Sequence, residues 1–194
     1  MKALWCDTET TGVNAFRNGV IQIGGQIEID GEIKESFDFR ISTFPKDEIE
    51  AKALEVNHTT IEDIKGYPEP TSVHKAFVKL LSKYVNKFDK HDKFILAGYN
   101  IGFDAEMLRM WFKKCGDNYF YSYVFGGKID VMSNVMTLCH LTKLELPDHK
   151  LETVARHFGI DVNFHDALDD IKATRKLYHI LLEKQHEFLG GKFD

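Results

Sequence analysis

Two acidic side chains follow the first apolar segment of the chain, in the stretch LWCDTETTG at residues 4–12. In a strand, successive side chains point to opposite faces, so Asp7 and Glu9 lie on the same face as Trp5. Two carboxylates held side by side repel each other unless a positive group lies between them. The stretch therefore predicts a cation beside Asp7 and Glu9.

Two further acids interrupt the apolar faces of predicted helices. In FDAEMLRMWFKKC, Asp104 lies four residues before Leu108 and so falls on the core-facing side. In HDALDDIKATRKLYHILL, Asp170 falls inside the apolar stripe, whereas its neighbour Asp169 points toward the polar face. Taken singly, Asp104 and Asp170 are also compatible with acids near helix starts, where capping and the helix dipole favour negative charge. That explanation does not account for the strand pair.

A single shared site accounts for all four acids, Asp7, Glu9, Asp104 and Asp170. A buried carboxylate without a partner is unfavourable by several kcal/mol, so four of them require a common compensating charge. Ligands that are all oxygen suit hard divalent cations rather than zinc. We therefore expect a Mg²⁺ or Mn²⁺ site with these four residues as its ligands.

The periodicity of apolar residues predicts the elements that hold these acids. The predicted strands are 3–7, 20–30, 32–41, 93–100 and 128–131, the second and third joined by a tight turn at Asp30-Gly31. The predicted helical segments are 46–65, 71–88, 103–114, 132–141, 149–158 and 165–188. This order predicts one α/β domain, with three antiparallel strands followed by strands that alternate with helices, in a mixed sheet covered by helices.

The composition is that of an ordinary globular protein, with 43% hydrophobic and 28% charged residues and a formal net charge of −5. This charge argues against a protein that coats nucleic acid by charge alone, although a local basic groove stays open. No apolar run approaches the roughly 20 residues of a membrane span. This predicts no membrane association. The three cysteines lack metal-binding spacing, so we expect reduced thiols and a cytoplasmic location.

Three motifs in this order resemble the DEDDh (DnaQ-like) 3′–5′ exonuclease family, which has the ribonuclease H-like fold. They are DTETTG at 7–12, YNIGFD at 99–104 and HDALDD at 165–170, and the segment HKLETVARHFGI at 149–160 also matches the family. The family includes proofreading subunits of bacterial DNA polymerase III, ribonuclease T and oligoribonuclease. The resemblance implies one exonuclease domain over residues 1–188, with 189–194 as a frayed tail.

The resemblance also implies roles for the motif residues. Asp7, Glu9 and Asp170 would bind two Mg²⁺ or Mn²⁺ ions, with Asp7 bridging both, and Asp104 would act on the second ion through water. His165 would be the general base on the attacking water, a role that suits a histidine near neutral pH. Two such ions can hold the attacking and leaving oxygens of an in-line phosphoryl displacement.

For the substrate, the resemblance implies that Thr11 and Gly12 offer backbone contacts to the terminal 3′-hydroxyl. Glu9 would accept a hydrogen bond from the same hydroxyl. Phe103 would pack on the terminal nucleotide, although a core role fits it nearly as well. In ALEVNHTTIEDI, Val56 and Asn57 would contact the terminal base. The chain departs from the family in this segment, because His58-Thr59 replaces the usual Gly-Ile.

The sequence leaves several alternatives open. Hydrolysis of single-stranded DNA, as in proofreading or repair, is the leading hypothesis, and an exoribonuclease of the ribonuclease T or oligoribonuclease type uses the same five residues. A non-catalytic nucleic-acid or polymerase-binding module and an aspartyl-phosphate phosphatase are less consistent with the five residues. A DNA polymerase is a possible partner, and the sequence does not indicate an oligomeric state. The lysines of 75–87 favour a solvated helix face over a phosphate-binding stripe, and the aromatic loop 118–127 suits either packing or base stacking.

Overall fold

The computed structural model describes residues 1–161 and 166–193, the last three as backbone alone. Five strands form one sheet in the order β3-β2-β1-β4-β5. They are β1 (Lys2–Thr10), β2 (Val20–Ile29), β3 (Glu32–Arg40), β4 (Phe94–Gly98) and β5 (Val124–Asp130). The first three are antiparallel, and β4 and β5 run parallel to β1, which confirms the predicted mixed sheet.

Seven α-helices accompany the sheet in the part of the chain that the structure describes. They are α1 (Ala51–Val56), α2 (Ile61–Gly66), α3 (Pro70–Ser82), α4 (Ile101–Lys114), α5 (Val131–Thr142), α6 (Leu151–His157) and α7 (Ala167–Phe193). Within the described residues, no helix combines the length and the apolar character that crossing a membrane requires.

The two faces of the sheet are covered by different helices. Leu4 and Cys6 of β1 enter a core with α3 and α4, whereas Ala3 and Trp5 enter a second core with α5, α6 and α7. This alternation follows from the two-residue period of a strand. Continued along β1, it assigns Asp7 and Glu9 to the α7 layer and Thr8 to the α4 layer.

Most differences from the predicted elements lie at element ends. The helical segment predicted over 46–65 is two short helices, because His58 adopts a φ of +49° and Thr60 starts α2 with a capping box to Asp63. Strand β5 begins at residue 124 rather than 128, and α3 ends at Ser82 rather than at residue 88. Helix α7 extends to residue 193, five residues beyond the predicted end. The turn at Asp30-Gly31 has φ values of +52° and +88°, as the tight hairpin requires.

Candidate active site

The site lies where β1 extends past the end of its parallel neighbour. Strand β4 ends at Gly98, and its pairing with β1 extends to Trp5, opposite Ala97. Strand β1 continues to Thr10, so Asp7 and Glu9 stand beyond β4 while β2 still pairs with them on the other side. The end of β1 is therefore open to groups that approach from α4 and α7.

Helix α7 reaches this position because β2 has a glycine beneath it. Gly24 pairs with Asp7 across the sheet. A Cβ atom at Gly24 would lie 2.3 Å from the backbone nitrogen of Leu168 and 2.5 Å from the carbonyl carbon of Ala167. The first turn of α7 thus lies directly on the β2 backbone, which brings Asp170 to the strand acids. Gly24 lies outside the three motifs, although the Gly24-Gly25 pair inside an apolar strand is a signal for such a close approach.

Three carboxylates converge at this point. Asp7, Glu9 and Asp170 each offer an oxygen, and these oxygens all lie within 4.8 Å of one another. Burial raises the pKa of Asp7 well above its usual value, and the charges of Asp104 and Glu9 raise it further. Burial and the charge of Asp170 raise the pKa of Glu9 to about 7. Both shifts reflect burial and repulsion between like charges, which a bound cation would offset, and a donor set made only of carboxylate oxygens suits Mg²⁺ or Mn²⁺.

The fourth acid of the predicted site is held differently. Asp104 is buried, with 3% of its surface exposed, and lies outside the group of three. Its Oδ1 accepts hydrogen bonds from the backbone nitrogen of Thr8 at 3.0 Å and from Thr8 Oγ1 at 2.7 Å. Burial nevertheless raises the pKa of Asp104 to about 7, against the lowering effect of these bonds. Asp104 is still close enough for its charge to raise the pKa of Asp7.

The predicted general base, His165, lies outside the described residues. Its neighbour Asp166 is described, and it accepts hydrogen bonds at the start of α7. The role of His165 therefore stays a prediction.

The turn after β1 is tightly held. The backbone nitrogen of Thr11 donates to the Gly19 carbonyl at 2.9 Å, and the Thr11 carbonyl accepts from the Glu50 nitrogen at 2.8 Å. A Cβ atom at Gly12 would lie 2.2 Å from Glu50 Oε1 and 2.5 Å from the Asn18 side chain, so a larger residue would require these side chains to move. Thr11 thus anchors the turn through its own backbone, and Gly12 lies where the turn comes closest to the side chains of Glu50 and Asn18.

A cleft of about 350 Å³ begins one residue beyond Glu9, a volume within the range of ligand sites. It is lined by Thr10, Gly12, Val13, Glu50, Lys52, Ala53, Val56 and Asn57. Asn57 Nδ2 donates to the Thr10 carbonyl at 2.9 Å, which ties the end of α1 to the end of β1. Val56 is 48% exposed although it is apolar. The structure therefore places both predicted base contacts, Val56 and Asn57, in one cleft with Gly12.

His58 and Phe103 differ in what constrains them. His58 has a left-handed φ of +49°, a conformation that glycine adopts without strain. The family resemblance leads us to expect glycine at this position. Phe103 is half-buried and packs against the α3–α4 core, so its ring contributes to packing.

The lysines of residues 75–87 and the aromatic loop 118–127 have different surroundings. Lys83 pairs with Glu35 at 3.0 Å, and Lys75, Lys79 and Lys87 are exposed. In the aromatic loop, Phe120 and Tyr123 are core residues, whereas Tyr119 and Tyr121 are exposed. Two aromatic side chains of the loop therefore pack in the core, and two others are exposed to solvent.

Comparison with known proteins agrees with this geometry. A family model described as "Exonuclease" (RNase_T) matches residues 4–178. The chain is 30% identical over 184 residues to a PolC-type DNA polymerase III of Clostridium perfringens, and 26% identical over 174 residues to that of Thermotoga petrophila. These matches cover 93% and 89% of this chain but 11% of each relative, so the chain spans about a tenth of their length.

Solved structures agree on the fold. Escherichia coli exonuclease I in complex with a dT13 oligonucleotide has a TM-score of 0.79 and 20% sequence identity. That match covers 97% of this chain and 42% of exonuclease I, and another exonuclease I structure has a TM-score of 0.73. The ribonuclease H-like fold and the exonuclease class expected from the motifs are both confirmed. The chain belongs to the RNase_T exonuclease family, of the DEDD type.

Proposed function

We propose that the chain hydrolyses single-stranded DNA from its 3′ end and releases nucleoside monophosphates. The observation that carries the proposal is the convergence of Asp7, Glu9 and Asp170, whose carboxylate oxygens lie within 4.8 Å of one another. The PolC-type DNA polymerase III relatives favour DNA over RNA as the substrate. An exoribonuclease activity remains the alternative, because DNA and RNA differ at the 2′-hydroxyl, which these carboxylates do not read.

In this proposal, two Mg²⁺ or Mn²⁺ ions supply the positive charge that stabilises the attacking and leaving oxygens of the phosphoryl group. Asp7, Glu9 and Asp170 would hold these ions, since they form the described cluster. By the family resemblance, Asp7 would be a ligand of both ions. Asp104 would act through water, because its Oδ1 is already engaged by Thr8. His165 accepts the proton of the attacking water.

The cleft residues position the 3′ end. Gly12 offers a backbone contact to the terminal 3′-hydroxyl, Thr11 holds the turn that presents it, and Glu9 accepts from the hydroxyl. Val56 and Asn57 contact the terminal base, and Phe103 supports the terminal nucleotide from the core side. The exposed apolar surface of Val56 supports this assignment, because a base has an apolar face to cover it.

The test uses 5′-labelled single-stranded DNA and RNA of one sequence, each with Mg²⁺, with Mn²⁺ and with chelator. We expect a metal-dependent ladder that shortens from the 3′ end, faster on DNA, and no products from the Asp7→Ala variant. Faster cleavage of RNA would replace the DNA assignment by the exoribonuclease one. Absence of products from both polymers would overturn the proposal in favour of a binding module.

We also propose that the domain acts beside a DNA polymerase, because its PolC-type relatives are polymerases by name. A primer–template with a mispaired 3′ nucleotide tests this idea. We expect removal of the mispaired nucleotide to be faster than that of a paired one, since unpaired ends enter the cleft as single strands. Equal rates of removal for paired and mispaired nucleotides would contradict a proofreading role. A cytoplasmic location stays a prediction.

A further inference from the structure

The carboxylate of Asp166 makes hydrogen bonds in two directions. Oδ1 accepts from the backbone nitrogens of Leu168 at 3.2 Å and Asp169 at 3.3 Å, which caps the start of α7. Oδ2 accepts from Arg40 Nη2 at 2.9 Å and from Gln22 Nε2 at 3.2 Å. One side chain therefore connects the helix start to strands β2 and β3.

The two strand residues that bind Asp166 lie in the same row across the sheet as Glu9, an acid of the proposed metal site. Glu9 pairs with Gln22 on β2, and Gln22 pairs with Arg40 on β3, so the three side chains share one face of the sheet. Gln22 is fully buried. Its amide nitrogen donates to Asp38 at 2.8 Å as well as to Asp166, so both amide hydrogens have acceptors and the side chain is oriented.

Asp170 is tied to the same point from the helix side. Its backbone nitrogen donates to the carbonyl of Asp166 at 2.8 Å, the first turn of α7. The backbone of this turn lies on Gly24, which limits how far the helix can move toward the sheet. A shift at Asp166 would therefore displace the Asp170 carboxylate relative to Asp7 and Glu9.

We propose that Asp166 is a positioning residue, which with Arg40 and Gln22 forms a clamp that places Asp170 for metal binding. The inference rests on the proposed function, because it assigns the clamp to the metal site of that reaction. Asp166 lies within the third motif, and the family resemblance implies no role for it. Groups that orient metal ligands typically change metal affinity by 10- to 100-fold when removed.

The test measures Mn²⁺ binding directly, by electron paramagnetic resonance of free Mn²⁺, together with the Mn²⁺ dependence of DNA hydrolysis. Asp166→Asn keeps an oxygen that caps α7 but presents an amide to Arg40 and Gln22 in place of their acceptor. Arg40→Gln removes the partner from the other side, and Arg40→Lys restores the charge. Asp169→Asn is the matched control, because Asp169 is an exposed acid of the same turn, paired with Lys172 at 2.8 Å.

We expect Asp166→Asn and Arg40→Gln each to weaken Mn²⁺ binding by about tenfold, and saturating Mn²⁺ to restore most of kcat. Arg40→Lys should recover part of the loss, and the control should change binding by less than about twofold. Circular dichroism and thermal unfolding confirm that each variant is folded before binding is compared.

The sign of the Arg40→Gln effect separates the clamp from simple electrostatics. Arg40 is a cation on the same face of the sheet as Glu9, so its removal would strengthen cation binding if its charge alone mattered, because repulsion between like charges would decrease. Tighter Mn²⁺ binding by Arg40→Gln, or effects equal to the control in both variants, would overturn the clamp. A wild-type chain that binds no Mn²⁺ and cleaves no DNA would instead overturn the proposed function.

Discussion

Asp104 and Asp170 have the same signature in the sequence and different surroundings in the structure. Each is an acid on the apolar side of a helix near its start. Asp104 accepts two hydrogen bonds from Thr8, whereas Asp170 lies within 4.8 Å of two other carboxylates. The contact of Asp104 is thus with donors of the strand, and that of Asp170 is with the carboxylates of the strand.

The difference follows from the alternation of side chains along β1. Odd-numbered residues face the α7 layer and even-numbered residues face the α4 layer, as the two cores show for Ala3 to Cys6. Helix α7 thus meets Asp7 and Glu9, while α4 meets Thr8. Two helix-start acids that approach one strand from its two faces therefore meet different groups: Asp170 lies beside the carboxylates of Asp7 and Glu9, and Asp104 accepts hydrogen bonds from Thr8.

The largest expected effect is that of Asp170→Asn, which keeps the size of the side chain and removes its charge. Activity should fall by about 10³-fold or more, because a ligand of the proposed metal site is lost. The metal-free variant should also unfold at a higher temperature, since repulsion within the carboxylate group decreases. Asp169→Asn is the control, and a drop of similar size in that variant would contradict a specific role for Asp170.

Asp104→Asn should have a smaller effect, about 10- to 100-fold on kcat. The asparagine oxygen can still accept both hydrogen bonds from Thr8, so the fold of the strand end is kept. Direct Mn²⁺ titration should show that the tighter ion still binds. If Asp104→Asn abolished all Mn²⁺ binding, as expected for Asp170→Asn, the distinction between the two acids would be wrong.

The pH dependence of stability reports on the carboxylates together. Glu9 has its pKa raised from 4.5 to about 7 and Asp104 from 3.8 to about 7, so both bind protons more readily in the folded state. Their contribution is complete below the unfolded pKa values and is lost as the pH rises toward 7. The metal-free protein should therefore be less stable at pH 8 than at pH 5, by a few kcal/mol.

Chemical denaturation at several pH values measures this slope. Addition of Mg²⁺ at pH 8 should recover stability, because the cation replaces the protons. Glu9→Gln provides the control, and it should give a shallower slope. Stability of the metal-free wild type that rises between pH 5 and pH 8 is the result that this account does not allow.

The smallest expected effect is that of Thr8→Val, which removes the hydroxyl that donates to Asp104. The free energy of unfolding should decrease by about 1–2 kcal/mol, the contribution of a hydrogen bond to a charged group. Thr8→Ser keeps the hydroxyl and should retain most of that stability. Equal losses in both variants would show that the methyl group, and not the hydrogen bond, supports the strand end.

The sequence by itself identified the acids and the fold. The alternation in β1 placed Asp7 and Glu9 on one face, and helical periodicity separated inward Asp170 from outward Asp169, whose side chain is 40% exposed. These inferences succeed because strand and helix periods are local properties of the backbone. The motifs added the family, which the match over residues 4–178 confirms.

Only the tertiary structure decided which acids meet. The sequence grouped four acids. In the structure, Asp7, Glu9 and Asp170 lie within 4.8 Å of one another, while Asp104 is held by Thr8 and is still close enough for its charge to raise the pKa of Asp7. This arrangement depends on which face of β1 each helix covers. The close contact of Gly24 with the first turn of α7 and the Arg40–Asp166 pair each join residues 126 or more positions apart, and no local sequence pattern connects them. Contacts between distant segments depend on how layers pack, and so the placement of the site follows from packing rather than from spacing.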